Sequence, residues 1–179
     1  PRTPETLLLP FTHQPERDWE GINFRQYPWV FAHQCFAGAS SESGKKLSGV
    51  SLSYFPKDTQ IIAGDIHNPQ TLGQLIYVGS PYHVDFGETF EPRCLLWNGK
   101  RLESIPIDGP QKQLVEASSL KELGKKKLAA GDIVKVRLEV ESYDAWPAAK
   151  LAIEEWADRN QVELCLAQPI LKSSHKTSV

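Results

Sequence analysis

Methionine is absent from this chain and cysteine is scarce, with only Cys35, Cys94 and Cys165 present. No two of the three make a C-x-x-C pair, which argues against a zinc knuckle or a disulfide scaffold. Each sits in an apolar segment, a pattern that predicts buried, reduced thiols in a cytoplasmic protein. Long hydrophobic runs are missing too. No stretch is apolar enough over enough residues to cross a bilayer, and no signal-peptide pattern opens the chain, so no membrane association is expected. An excess of one charge is also lacking: the formal net charge is −2. That balance does not mark a nucleic-acid binder, although a local basic patch can sit on a neutral whole. The lack of methionine leaves Pro1 with two readings, a natural start after removal of the initiator or the cut end of a longer chain.

What is present is an ordinary globular composition. Forty per cent of the 179 residues are hydrophobic, enough for one domain with a real core, or one domain with a small appendage. "ETLLLPF" predicts a short buried strand over Thr6–Leu9, stopped by Pro10. The polar stretch 12–26 predicts a loop with at most one helical turn. Trp29–Ala32 is a continuous apolar run and predicts a fully buried strand. Residues 38–49, rich in Gly, Ser and Lys without periodicity, predict an exposed loop. "QIIAG" and "QLIYVGS" predict two more buried strands, and "RCLLWNGKRLESIPI" a hairpin about Asn98-Gly99.

Beyond "DGP" at 108–110 the composition shifts. Residues 114–132 have helical spacing and a lysine run, Lys125–Lys127. "DIVKVRLEVE" alternates, with Val134, Val136, Leu138 and Val140 on one face, so a half-buried strand is predicted. "AWPAAKLAIEEWADRN" predicts a helix with Pro147 in its first turn and an apolar stripe of Ala149, Ile153, Trp156 and Ala157. "VELCLA" predicts a closing strand and "SSHKTSV" a frayed tail. The division expected is residues 1–108 and a small α+β unit over 109–179.

Three of the early strands end alike. Each buried run stops and polar groups follow: His33-Gln34, then Asp65-Ile66-His67, then Ser80-Pro81-Tyr82. Groups at the carboxyl ends of neighbouring strands tend to converge. Side by side, these strands would bring His33, Asp65 and His67 into one cluster, and imidazole with carboxylate suits borderline divalent cations such as manganese or zinc. Singly, each residue reads more simply as an ordinary turn or surface group.

The segments "VFAHQ", "AGDIHNPQ" and "LIYVGSPYHVDFGE" together resemble calcineurin-like metallophosphoesterases. The closest branch is the SbcD-type DNA repair exonucleases, with their phage relatives, and the likeness covers roughly residues 25 to 97. That resemblance implies the C-terminal half of a metallophosphoesterase β-sandwich flanked by helices, an α/β class, followed by a small α+β capping domain. It further implies two metal ions, usually Mn2+, with His33 and His67 as ligands. Asp65 stands where the family carries histidine; its carboxylate can hold manganese, but its charge weakens the Lewis acidity of that ion. Ser80 and Tyr82 would shape the substrate wall with Pro81, and Asp85, Phe86 and Glu88 would be structural. The family's Asp-x-His, Gly-Asp-x-x-Asp and Gly-Asn-His motifs are missing from the chain. The bridging carboxylate and the general acid are therefore expected in an N-terminal half, cut away or supplied as a separate chain. That half is also expected to cover a sheet face for which the rest of this chain offers no cover.

The function expected is thus one component of a two-metal nuclease acting on DNA, with an SbcC-type coiled-coil ATPase as a partner implied by the resemblance. Lys45, Lys46, Lys100, Arg101 and Lys125–Lys127 read first as a solvated surface and second as DNA contacts. Two alternatives stay open: a phosphatase or phosphodiesterase on a small substrate, and a non-catalytic scaffold that binds DNA or the ATPase.

Overall fold

A computed structural model describes residues 5–172. The tail 173–179 lies outside the described residues. The described residues divide into two compact units, one made of residues 5–82 with 89–108, the other of 83–88 with 109–172. Both are mixed α/β. Among the described residues no helix is long and apolar enough to cross a membrane.

The first unit is built on a five-stranded sheet of β1 (Thr6–Leu9), β2 (Trp29–His33), β3 (Gln60–Gly64), β4 (Gln70–Leu72) and β5 (Leu75–Tyr77), in the order β1-β2-β3-β5-β4. β1, β2, β3 and β5 run parallel, and β4 returns antiparallel on β5. Alternation and register set the two faces. Leu7, Val30, Ile61 and Leu75 form one cross-strand row, and Leu9, Ala32, Ala63 and Tyr77 the next. Both rows belong to the core of this unit, together with Trp19, Phe24, Phe36 and Phe55. Those four aromatics come from segments between strands, and their rings meet edge-on or tilted, with Phe24 and Phe55 centred 4.7 Å apart. Edge-on contact matches the ring quadrupoles and adds about 0.5–1.5 kcal/mol per pair beyond burial.

The polar-looking stretch 12–26 therefore does more than connect. It holds the short helix α1 (Pro15–Asp18) and a 3-10 turn at Phe24–Gln26, and it buries Trp19 and Phe24. The expectation that this chain could not cover its own sheet is corrected for this face. The opposite face carries Leu8, Phe31 and Ile62 in one row. There the hairpin β6 (Arg93–Trp97) and β7 (Leu102–Pro106) brings Trp97 to 5.6 Å from Trp29 and 5.4 Å from Phe31 between ring centroids. Arg93 ties the hairpin down by donating to the carbonyls of Val78 and Tyr77. Leu8 stays 74% exposed, so β1 is an edge strand with an uncovered side, not a buried one.

The second unit is a parallel sheet of β8 (Lys112–Ala117), β9 (Ile133–Val140) and β10 (Glu163–Leu171) in the order β10-β9-β8. Between them lie α2 (Leu120–Leu123) and α3 (Trp146–Asn160). Val134, Val136, Leu138 and Val140 are buried, as are Ala149, Ile153, Trp156 and Ala157 of α3. The helical spacing over 114–132 resolves differently: Leu114–Ala117 belongs to β8, and only Leu120–Leu123 is helical. Val115 and Ala117 alternate inward beside β9, so sheet pairing overrides the local helical pattern. In this unit Lys112 donates through Nζ to the Val84 carbonyl at 2.6 Å, and Glu88 accepts from the backbone N–H groups of Val84 and Asp85.

The cysteines depart from expectation. Cys94 and Cys165 are exposed and only Cys35 is partly buried. Apolar neighbours do not bury a strand residue that falls on the outward step of the pleat.

Candidate metal site

The site is assembled at the carboxyl end of the parallel strands. β2 ends at His33 and β3 at Gly64, and the register pairs these two residues directly. A β-carbon on residue 64 would lie 2.7 Å from His33 Nδ1, so the imidazole packs over the bare glycine backbone and would have to shift to admit a side chain there. Asp65 follows with a φ of 90°. Left-handed backbone at a non-glycine residue costs on the order of 1–3 kcal/mol, and such positions cluster where function holds them. Here the turn swings the carboxylate back toward β2, and Asp65 Oδ1 stands 3.8 Å from His33 Nε2.

His67 is held through its backbone. Its carbonyl accepts from the Ser80 N–H at 2.8 Å. A β-carbon on Gly79 would come within 2.4 Å of Pro69 Cγ and 2.9 Å of the His67 oxygen. The glycine of "YVGSP" thus exists to let that turn pack on the "HNPQ" turn. The His67 side chain faces Glu42, with Nδ1 3.9 Å from Oε1. Among the described residues, the ligand atoms of His33, Asp65 and His67 do not all fall within 4.8 Å of one another. The structure brings His33 to Asp65, and His67 to Glu42. Ser80 is buried, and its hydroxyl accepts from the Tyr82 N–H at 3.5 Å; Tyr82 itself is exposed.

Behind the site, Tyr77 is fully buried on β5. Its hydroxyl donates to the Gln34 carbonyl at 2.9 Å and accepts from the Phe36 N–H at 2.8 Å. It therefore fixes the path of the chain just after His33. Burial, the largest cause, pushes its phenol up to about 12. Burial, and then the charge of Asp65, also raise the Cys35 thiol, which keeps it protonated and a poor nucleophile.

Beside Asp65 opens a cleft of about 740 Å³, lined among others by Phe11, His13, Glu16, Gln34, Cys35 and Tyr54. Its walls come from the loops after β1, β2 and β3, where ligands of parallel sheets collect. Of the lysines considered as DNA contacts, Lys46 is engaged within the protein, donating to the Gly38 carbonyl and the Ser40 hydroxyl at 3.0 Å each. Lys126 pairs with Glu122 at 3.4 Å.

Residue reasoning missed Glu42, Gln70 and Tyr77 as parts of this site. Glu42 sits in a Ser/Gly stretch with no periodicity, and Tyr77 reads as one more apolar strand residue. Gln70 lay in view, at the end of "HNPQ", but nothing in the sequence names what its amide would hold. No family model matches the chain, and no curated protein matches it.

Proposed function

We propose that this chain supplies part of a divalent-metal phosphodiesterase site that cuts DNA, with His33, Asp65 and His67 as metal ligands. The observation that carries the reading is the His33–Asp65 pair, 3.8 Å apart on adjoining strand ends. Two donors that each stand about 2.1 Å from one ion can be at most roughly 4.2 Å apart. The observed span thus fits a shared cation with little movement. Gly64 makes room for the imidazole and the left-handed backbone of Asp65 aims the carboxylate, so the pair is arranged before any ion arrives. The likeness of residues 25 to 97 to SbcD-type phosphoesterases supports the same assignment.

A divalent cation bound there would polarise a phosphoryl oxygen and lower the pKa of bound water. The chain's own part is to hold and orient. His33 and Asp65 present one nitrogen and one oxygen, and Tyr77 fixes the chain behind them. Ser80 locks the His67 turn, and Tyr82 lies open beside it to meet substrate. A bridging carboxylate and a general acid would come from a completing N-terminal half, in the same or another chain. The uncovered face around Leu8 offers it a place to pack. Manganese is the preferred ion and an SbcC-type ATPase the further partner, both on the resemblance.

The test uses the protein expressed together with any coding sequence directly upstream of residue 1. Mn2+-dependent release of nucleotides from end-labelled duplex DNA, abolished by EDTA and by His33→Ala, is the expected result. DNA binding that neither Mn2+ nor His33→Ala alters, with no release, would identify a scaffold instead. The 740 Å³ cleft lies within the range of small-molecule sites and favours one second reading, a phosphodiesterase on a small substrate. Turnover of a chromogenic phosphate bis-ester without turnover of DNA would establish that reading.

A further inference from the structure

The stretch 36–50 follows His33 closely and looks like an unstructured excursion, yet it is tied at every level. Phe36 and Ala39 are fully buried at its base. The Ala37 N–H donates to the Val50 carbonyl and the Gly38 N–H to Leu47, while Leu47 donates back to Ala39. At the tip, Ser41 donates to the Lys45 carbonyl and Gly44 to Ser41, at 2.9 Å each. Glu42 sits inside this closed tip.

A second tie comes from across the sheet. The Gln70 side chain clamps the Ser40 backbone from both sides: Oε1 accepts from the Ser40 N–H at 2.8 Å and Nε2 donates to the Ser40 carbonyl at 2.9 Å. Gln70 lies three residues after His67, at the start of β4. The clamp therefore links the segment that carries His67 to the loop that carries Glu42. The result is the 3.9 Å approach of Glu42 Oε1 to His67 Nδ1, with both side chains only partly exposed. That span matches the His33–Asp65 pair, and it falls within the same reach of a shared cation.

We infer that Glu42 and His67 form a second imidazole–carboxylate pair for a borderline divalent cation, with Gln70 as the residue that positions Glu42. The inference rests on the reading of His67 as a metal ligand and adds to it a carboxylate from a different loop. A surface ion pair alone gives no reason for the bidentate clamp, since exposed pairs of this kind contribute little to stability. The donor set, one nitrogen and one oxygen, suits manganese or zinc better than calcium or magnesium.

The test is a titration of the whole chain with Mn2+, followed by NMR through paramagnetic broadening of each histidine ring, with Trp fluorescence as a check on folding. In the wild type the His33 and His67 rings broaden well before those of the other histidines. Glu42→Gln should raise the Mn2+ concentration needed to broaden His67 about 10-fold or more, the scale expected for losing a supporting carboxylate, and leave His33 within about 2-fold. Gln70→Leu, which keeps both ligands and removes the clamp, should give a smaller shift in the same direction. If His67 broadens identically in Glu42→Gln, the inference is overturned while the reading of His33, Asp65 and His67 stands. If neither His33 nor His67 broadens in the wild type, the metal reading itself fails, and the inference with it.

Discussion

His33 and Gly64 face each other across the β2–β3 pair, and the imidazole of one fills the space a side chain on the other would need. That relationship makes a glycine at the end of a buried strand a determinant of the site. Gly64→Ala should push the ring away from Asp65 and weaken Mn2+ binding by about 10-fold, the range of an orientation defect. Calorimetric titration reads the loss, and an unchanged affinity would show that the ring position is irrelevant to binding.

Asp65 adopts a backbone conformation that suits glycine better. Asp65→Gly should therefore leave stability equal or higher by up to about 1 kcal/mol, while cation affinity falls. Urea unfolding monitored beside metal titration separates the two effects. A variant that loses stability as well would mean the carboxylate is there for structure.

Tyr77→Phe removes one hydroxyl that serves two backbone groups. The Phe36 N–H and the Gln34 carbonyl would both lose a buried partner, at a cost of about 1–3 kcal/mol. The pH dependence has a definite sign. Tyr77 holds its proton up to about 12 in the folded state, against an ordinary value of 10.0. The folded protein therefore binds more protons than the unfolded one in that window, and stability falls as pH rises from about 10 toward 12. The slope should be shallower in Tyr77→Phe when unfolding is followed across that range.

In the second unit, Glu122 caps the start of α2. Its carboxylate accepts from the Ser118 hydroxyl and N–H, while the Ser119 hydroxyl accepts from the Glu122 N–H. The Ser118 hydroxyl bond, followed by the Ser118 backbone bond, pulls its pKa down to about 2 from the ordinary 4.5. A depressed carboxylate stabilises the fold above its unfolded value and loses that contribution as pH drops from 4.5 to 2. The stability gap between wild type and Glu122→Gln should thus be widest near neutral pH and close at pH 2–3 by denaturant melts.

Particular elements show where the sequence sufficed. β9 and α3 were legible because each repeats one period over many residues: alternation from Val134 to Val140, and a 3.6-residue stripe from Ala149 to Ala157. The hairpin was legible because Asn98-Gly99 encodes its own turn. β8 was not, since Leu114–Ala117 satisfies a helical spacing as well as a strand, and only pairing with β9 decides between them. β4 is three residues long, too short to carry any period.

At the candidate site, local chemistry marks where the parallel strands end, because a buried run, a glycine and a polar turn can be read residue by residue. The placement of His33 at the end of β2 and of Asp65 just past the end of β3 follows from that, and His67 lies further along the same turn. The pairing of His33 with Asp65 and of His67 with Glu42 comes from long-range folding, through a strand register and a glutamine clamp that join segments about thirty residues apart. Local pattern can place a side chain on a face, but which face meets which is settled by long-range packing, and that information is spread over the whole chain.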